Sequence, residues 1–244
     1  MVQGRSNRKK KHSGRTVLGI FLVLAMGTAV LKVVHSPFFE DMTDKLLVSW
    51  NSLKGVVFGQ TAETDWQLLL VNRWNPIPDG FDVKLVTLSG GHQVDERIYP
   101  DLQKMFDDAR AEGILPMIYS SYRTTQKQQQ LMEDEINKYR QEGYSSREAK
   151  KIAETWVARP GTSEHQIGLA LDITSANKEK QKPAVVWEWL HKNSYRYGFI
   201  LRYPEDKTDI TGISSEPWHF RYVGEKAAAE LYQRDICLEE YLDR

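Results

Sequence analysis

At 244 residues, with 33 Lys and Arg against 33 Asp and Glu, the chain has room for one sizeable domain plus an appendage and carries no formal net charge. The balance is uneven: residues 1–39 hold seven basic and no acidic residues, leaving 26 basic against 33 acidic afterwards. The body is therefore net negative, which argues against nucleic acid as its partner, and the single cysteine, Cys237, excludes an intramolecular disulfide or a multi-cysteine zinc or redox motif.

Residues 1–15 form a basic tail, expected to stay cytoplasmic. The uncharged run TVLGIFLVLAMGTAVL follows, and Val33 and Val34 extend it past Lys32, so residues 16–35 read as a transmembrane helix. No small-x-small cleavage site follows, and Lys32 can reach the interface with its ammonium; the expectation is an uncleaved signal-anchor that leaves the rest of the chain outside the membrane. Residues 36–60 read as a stalk, and residues 61–244 as an extracytoplasmic domain.

Within that domain WQLLLV and FDVKLVTL read as strands, and PDLQKMFDDARAEG sets Leu102, Met105, Phe106 and Ala109 on one helical face, with Gly113 ending the helix. ILPMIYSS reads as a strand leading to Arg123, and the polar stretch over 124–142 as an exposed helix closed by Gly143. A second helix starts at Ser145, with Glu148 completing a capping box and Ala149, Ile152, Ala153 and Trp156 as its buried stripe. After a Pro-Gly loop come the strand IGLALDI, a helix around VVWEWLHKNSYRYG, the strand FILRY, then EPWHFRYV and a short C-terminal helix. Segregated strands and helices of this kind predict an α+β fold.

Of six histidines, His12, His35, His92 and His191 lie in tail, turn or helix contexts that suggest no function. His165 and His219 differ, because each stands near a carboxylate in an ordered context, SEHQIGLALD and EPWH. Two neutral imidazoles and one carboxylate are a ligand set for zinc with an open fourth position, the catalytic arrangement; closed structural sites usually need several cysteines. Asp172, at the end of an apolar strand and followed by Thr174 and Ser175, reads on its own as the cap of a turn rather than as a ligand. Pro217 forces Glu216 toward extended backbone, so EPWH is not the helical face of an HExxH site.

SEHQIGLALDI together with EPWHFRYVG resembles the VanY-type D-alanyl-D-alanine carboxypeptidases, zinc peptidases with the pattern S-x-H-x(6)-D followed downstream by E-x-W-H. The likeness runs through SSYR, PGTSEHQ, FILRYP, TGI and LEEYL, roughly residues 65–243, with Ser121 where the familiar SGYR has glycine. The resemblance implies a small antiparallel sheet flanked by helices, of the hedgehog/DD-peptidase type. It implies one Zn2+ per chain on His165, Asp172 and His219, with Glu216 as general base. It also implies that Arg123 and Ser163 hold the substrate's terminal carboxylate while Gln128 orients the peptide. The planar fork of Arg123, at the positive end of the 124–142 helix, suits a carboxylate; the bland alternative is a surface ion pair. Tyr203 could line the cleft or belong to the core.

The expected activity is removal of the terminal D-Ala from peptidoglycan stem peptides by an enzyme anchored, single-pass, in a bacterial cell membrane with its catalytic domain on the outer face. L,D-carboxypeptidase trimming of tetrapeptide stems is the alternative on the same site, and a non-catalytic, zinc-stabilised wall-binding module is the alternative from another class.

Overall fold

The computed structural model describes residues 66–243. The expected tail, membrane segment and stalk, residues 1–60, lie outside the described residues. Among the described residues no helix is long and apolar enough to cross a membrane.

Among the described residues a short 3₁₀ turn, Trp66–Leu68, is followed by a hairpin, β1 (Leu85–Thr87) and β2 (Gln93–Asp95), and the helix α1 (Tyr99–Ala111). Then come β3 (Pro116–Ser120), α2 (Thr125–Gln141), α3 (Ser146–Ala153), β4 (Ala170–Ser175) and α4 (Pro183–Asn193). The remainder is β5 (Phe199–Leu201), the single turn α5 (Thr208–Thr211), β6 (His219–Tyr222), α6 (Glu225–Arg234) and α7 (Leu238–Leu242). Strands β3 to β6 form one antiparallel sheet in the order β3-β4-β6-β5. The expected α+β fold with a small antiparallel sheet is what the structure contains.

Local signals account for most boundaries. Leu102, Met105, Phe106 and Ala109 form the buried stripe of α1, Thr124 caps α2 by accepting from the Lys127 amide, and Ser145 and Glu148 make the capping box of α3.

Alternation along the strands sorts the sheet into two faces. Leu171 and Ile173 of β4, Phe220 and Tyr222 of β6 and Phe199 of β5 point into the main core with the α1 stripe, Val186 and Leu190. The other face carries Ala170 and Asp172 of β4 opposite Arg221 and His219 of β6. Every residue of β4 and of β6 is buried, so this second face is polar without being wet. Charge placed there has to be neutralised inside the protein.

Three expectations fail. WQLLLV is no strand: only Trp66–Leu68 has regular structure, a 3₁₀ turn, because the Gln67 and Leu69 carbonyls accept from the Arg221 guanidinium rather than from a neighbouring strand. The strand in FDVKLVTL shrinks to β1. Trp156 is not in a buried stripe: α3 stops at Ala153 and Trp156 is 41% exposed beyond it.

Candidate metal centre and active site

His165 lies on a 3₁₀ turn, Glu164–Ile167, and the strand read as IGLALDI begins only after it, at Ala170. The turn ends at Gly168 with φ 72°, where a Cβ would stand 2.9 Å from the Asp95 amide nitrogen, so only glycine turns the chain into β4 here. Asp172 sits on β4 in register with His219, the first residue of β6. Glu216 reaches the same point from the turn before β6, closed by a hydrogen bond from the His219 amide to the Glu216 carbonyl.

The turn and the two strands bring one ligand atom each from His165, Asp172 and His219 to within 4.8 Å of one another, all buried. Asp172 Oδ1 is 3.4 Å from His165 Nε2 and 3.2 Å from His219 Nδ1. No hydrogen bond closes on that oxygen, although it is fully buried. A buried carboxylate oxygen without a donor, facing two imidazole nitrogens, is a donor set that fits a cation.

The imidazoles are oriented for it. His165 Nδ1 lies 2.8 Å from the Ser121 carbonyl, which can only accept, so Nδ1 carries the proton and Nε2 keeps its lone pair toward Asp172. His219 Nε2 lies 3.4 Å from Glu164 Oε2, leaving Nδ1 for the cluster. Burial lowers the His165 pKa to about 4, so the ring is neutral at pH 7. Burial opposes protonation of His219 as well, but Asp172 and Glu164 outweigh it and raise its pKa to about 9; that net negative surrounding is a second sign that positive charge belongs here. The Asp172 carboxyl stays well below its usual range, since His165 and His219 overcome the effect of burial. These donors fit zinc.

Glu216 Oε2 stands 3.5 Å from His219 Nδ1. Burial pushes its carboxyl up to about 7, with His219 opposing the rise and Asp172 adding to it. A carboxyl that titrates near neutrality can both take up and release a proton at working pH.

Arg123 flanks the cluster. Its Nη2 donates to Asp172 Oδ2 at 2.6 Å and its Nε to Ser120 Oγ at 2.9 Å, while Nη1 reaches Gln128 Oε1 only at 3.5 Å. The partner is thus a buried carboxylate of the cluster, not a surface acid. Gln128 is fully buried and donates to the Ala158 carbonyl at 2.6 Å. Tyr203 is 6% exposed, its ring 4.8 Å from that of His219. Arg123, Gln128, Ser163, Tyr203 and the four cluster residues line one cleft of about 160 Å³. Two larger clefts, about 440 and 370 Å³, contain none of them.

The family described as VanY, D-alanyl-D-alanine carboxypeptidase, matches residues 91–225. The chain belongs to this family. It is 55% identical over 184 residues to a D-alanyl-D-alanine carboxypeptidase of Enterococcus faecalis, covering 75% of this chain and 68% of that one. Among solved structures, VanYB in complex with D-alanine-D-alanine aligns with a TM-score of 0.72 at 55% identity, covering 73% of this chain and 98% of that one. A mutant of the vancomycin-resistance D,D-pentapeptidase VanY in complex with Zn(II) aligns with a TM-score of 0.71 at 56% identity, over 73% and 99% of the two chains.

Within this VanY-family chain the sequence reading missed the charges behind the cluster. Arg202 and Arg221 are wholly buried and converge on Glu164. Their signal was available, a charged residue on the inward side of FILRY and of HFRY, where alternation leaves no solvent to meet it. Trp156 and Trp218, which also line the cleft, were read as core or passed over.

Asp172→Asn keeps the shape of the cluster and removes the charge of its unpartnered oxygen. Zinc affinity, measured by chelator competition, is expected to fall by more than the ~10–100-fold typical of changes in groups that only touch a ligand. Wild-type affinity in this variant would mean that the cation sits elsewhere.

Proposed function

We propose that the protein is a zinc-dependent D,D-carboxypeptidase that removes the C-terminal D-alanine from peptidoglycan stem peptides. The observation that carries the reading is the buried, donor-free Oδ1 of Asp172 between His165 and His219, with the near-neutral carboxyl of Glu216 beside it.

His165, Asp172 and His219 would hold the zinc, which would supply Lewis-acid polarisation of a carbonyl and lower the pKa of a water to about 7. Glu216 Oε2 takes one proton from the attacking water as the new C–O bond forms and returns it to the amide nitrogen as the C–N bond breaks, so that D-alanine leaves with a neutral amine; the water's second proton, left on the new carboxyl group, passes to that amine on release.

Arg123 gives the reaction its preference for a chain end. Asp172 and Ser120 fix its guanidinium through Nη2 and Nε, which leaves Nη1 as the edge for the substrate's terminal carboxylate. A cation held at one distance from the reacting carbon selects a free carboxylate over an internal peptide bond. Ser163 adds a hydroxyl, Gln128 a buried amide anchored at Ala158, and the ring of Tyr203 a wall beside His219.

The same reading has the enzyme held to the outer face of a bacterial membrane by residues 16–35, supported by the basic flank before that apolar run. The full chain is expected in the membrane fraction and its ectodomain open to protease added outside; recovery of the full chain as a soluble protein would overturn the anchor.

Glu216→Gln is expected to keep zinc and fold yet lose about 10²–10⁴-fold in kcat on pentapeptide muropeptides, the usual contribution of a positioned acid-base group; near-normal turnover would sink the assignment. Arg123→Ala is expected to lose kcat/KM on free-carboxylate peptides far more than on their C-terminal amides. Zinc content is measured alongside, because the same guanidinium touches Asp172. An equal loss on both substrates at full zinc occupancy would remove Arg123 from carboxylate binding.

A further inference from the structure

Behind His219 lies a cluster of charge that the reaction as described leaves unused. Arg202, just past β5, donates from Nε to Glu164 Oε1 at 2.6 Å, and Arg221 of β6 donates from Nη1 to the same oxygen at 2.9 Å. Arg202 also clasps Glu239 of α7 through Nη1 and Nη2 at 2.8 and 2.6 Å, where Asn72 Nδ2 adds a third donor. The other donors of Arg221 end on the carbonyls of Tyr222, Gln67 and Leu69. Buried ion pairs of this kind are poor stabilisers, because desolvation consumes most of the attraction. Stability alone is therefore a weak reason to build one against a metal ligand.

What the arrangement fixes is a direction. With Oε1 claimed by two guanidinium groups, Glu164 has one free oxygen, Oε2, which lies 3.4 Å from His219 Nε2. A carboxylate clamped by two cations has only acceptors to offer, so His219 must donate from Nε2. Its lone pair is then left on Nδ1, the nitrogen that faces Asp172 Oδ1 at 3.2 Å.

We propose that Glu164 is a positioning residue for the metal centre: held by Arg202 and Arg221, it fixes the tautomer and ring orientation of His219 so that Nδ1 is available to the cation. The proposal rests on the zinc-enzyme reading above.

Glutamine at this position is nearly isosteric with the opposite consequence. The two arginines can be satisfied only by the amide oxygen, which turns the NH2 group toward His219 Nε2. That nitrogen must then accept, and the ring proton moves to Nδ1, where the cation would bind. An ordinary structural contact would tolerate Glu164→Gln far better than a tautomer lock does.

Zinc affinity is read by chelator competition, and melting temperature separately, for the wild type, Glu164→Gln, Glu164→Asp and Glu239→Gln. Glu164→Gln is expected to weaken zinc binding by about 10–100-fold. Glu164→Asp keeps the charge the arginines need but draws the carboxylate back by one methylene; it is expected to fold and still lose affinity, which keeps the test open should the glutamine variant not fold. Glu239→Gln, in the same network but without contact to His219, is expected to lower the melting temperature and leave zinc affinity at the wild-type level. Wild-type affinity in the folded Glu164 variants, or an equal loss in Glu239→Gln, would overturn the proposal. A wild-type protein that bound no zinc would instead bring down the reading on which it rests.

Discussion

Asp172 spends its two oxygens in opposite ways, and the surrounding structure follows from that division. Oδ2 takes a 2.6 Å hydrogen bond from Arg123, while Oδ1 takes none and faces two imidazoles. A lone carboxylate oxygen in an interior costs several kcal/mol unless positive charge meets it. Arg123 offsets half of that demand, and the cation that His165 and His219 are turned to receive offsets the rest. The guanidinium is held in place by the carboxylate it neutralises, so one residue can complete the cluster and present its remaining edge to a substrate.

The sheet makes this possible by burying both of its faces with different chemistry. Leu171 and Phe220 face each other across β4 and β6 on the apolar side, and Asp172 and His219 do so one residue along on the polar side. A strand register is a firm constraint, because a slip of one residue would exchange the faces and put Asp172 into the main core. The apolar packing of Leu171, Ile173, Phe199 and Phe220 therefore fixes the distance between two members of the metal cluster, although none of the four touches it. The second face is closed by Arg202, Arg221, Glu164 and Glu239, whose charges pair among themselves and whose spare donors end on backbone carbonyls.

The chemistry was more legible in the sequence than the geometry behind it. His165 and His219 could be nominated from residue type, each near a carboxylate in an ordered context, whereas the grouping with Asp172 and the base role of Glu216 came from the resemblance to the VanY-type pattern. The helices α1 and α3 could be read from a periodic stripe and a capping box, both local signals. WQLLLV misled because a short apolar run says nothing about which donors its carbonyls will meet, and here they meet Arg221, some 150 positions away. The strand IGLALDI was begun too early because Gly168 reads as one more small residue in an apolar run; its positive φ follows from how closely the Asp95 backbone approaches, a tertiary fact.

Arg202 and Arg221 show what such a reading most easily passes over. On a strand exposed on one face, an arginine at every second position is ordinary; on a strand buried on both faces it is a charge with no exit. The distinction depends on whether α6, α7 and the segment around Gln67 cover the second face, which only long-range packing decides. Once they do, each arginine needs an anionic partner, and Glu164 and Glu239 are the two carboxylates in reach. Glu239 belongs to the C-terminal LEEYL segment and Asn72, its second partner, to the start of the domain. The two ends of the described chain thus meet at the far side of the same ion network whose near side orients His219, which ties the metal centre to the closure of the whole fold.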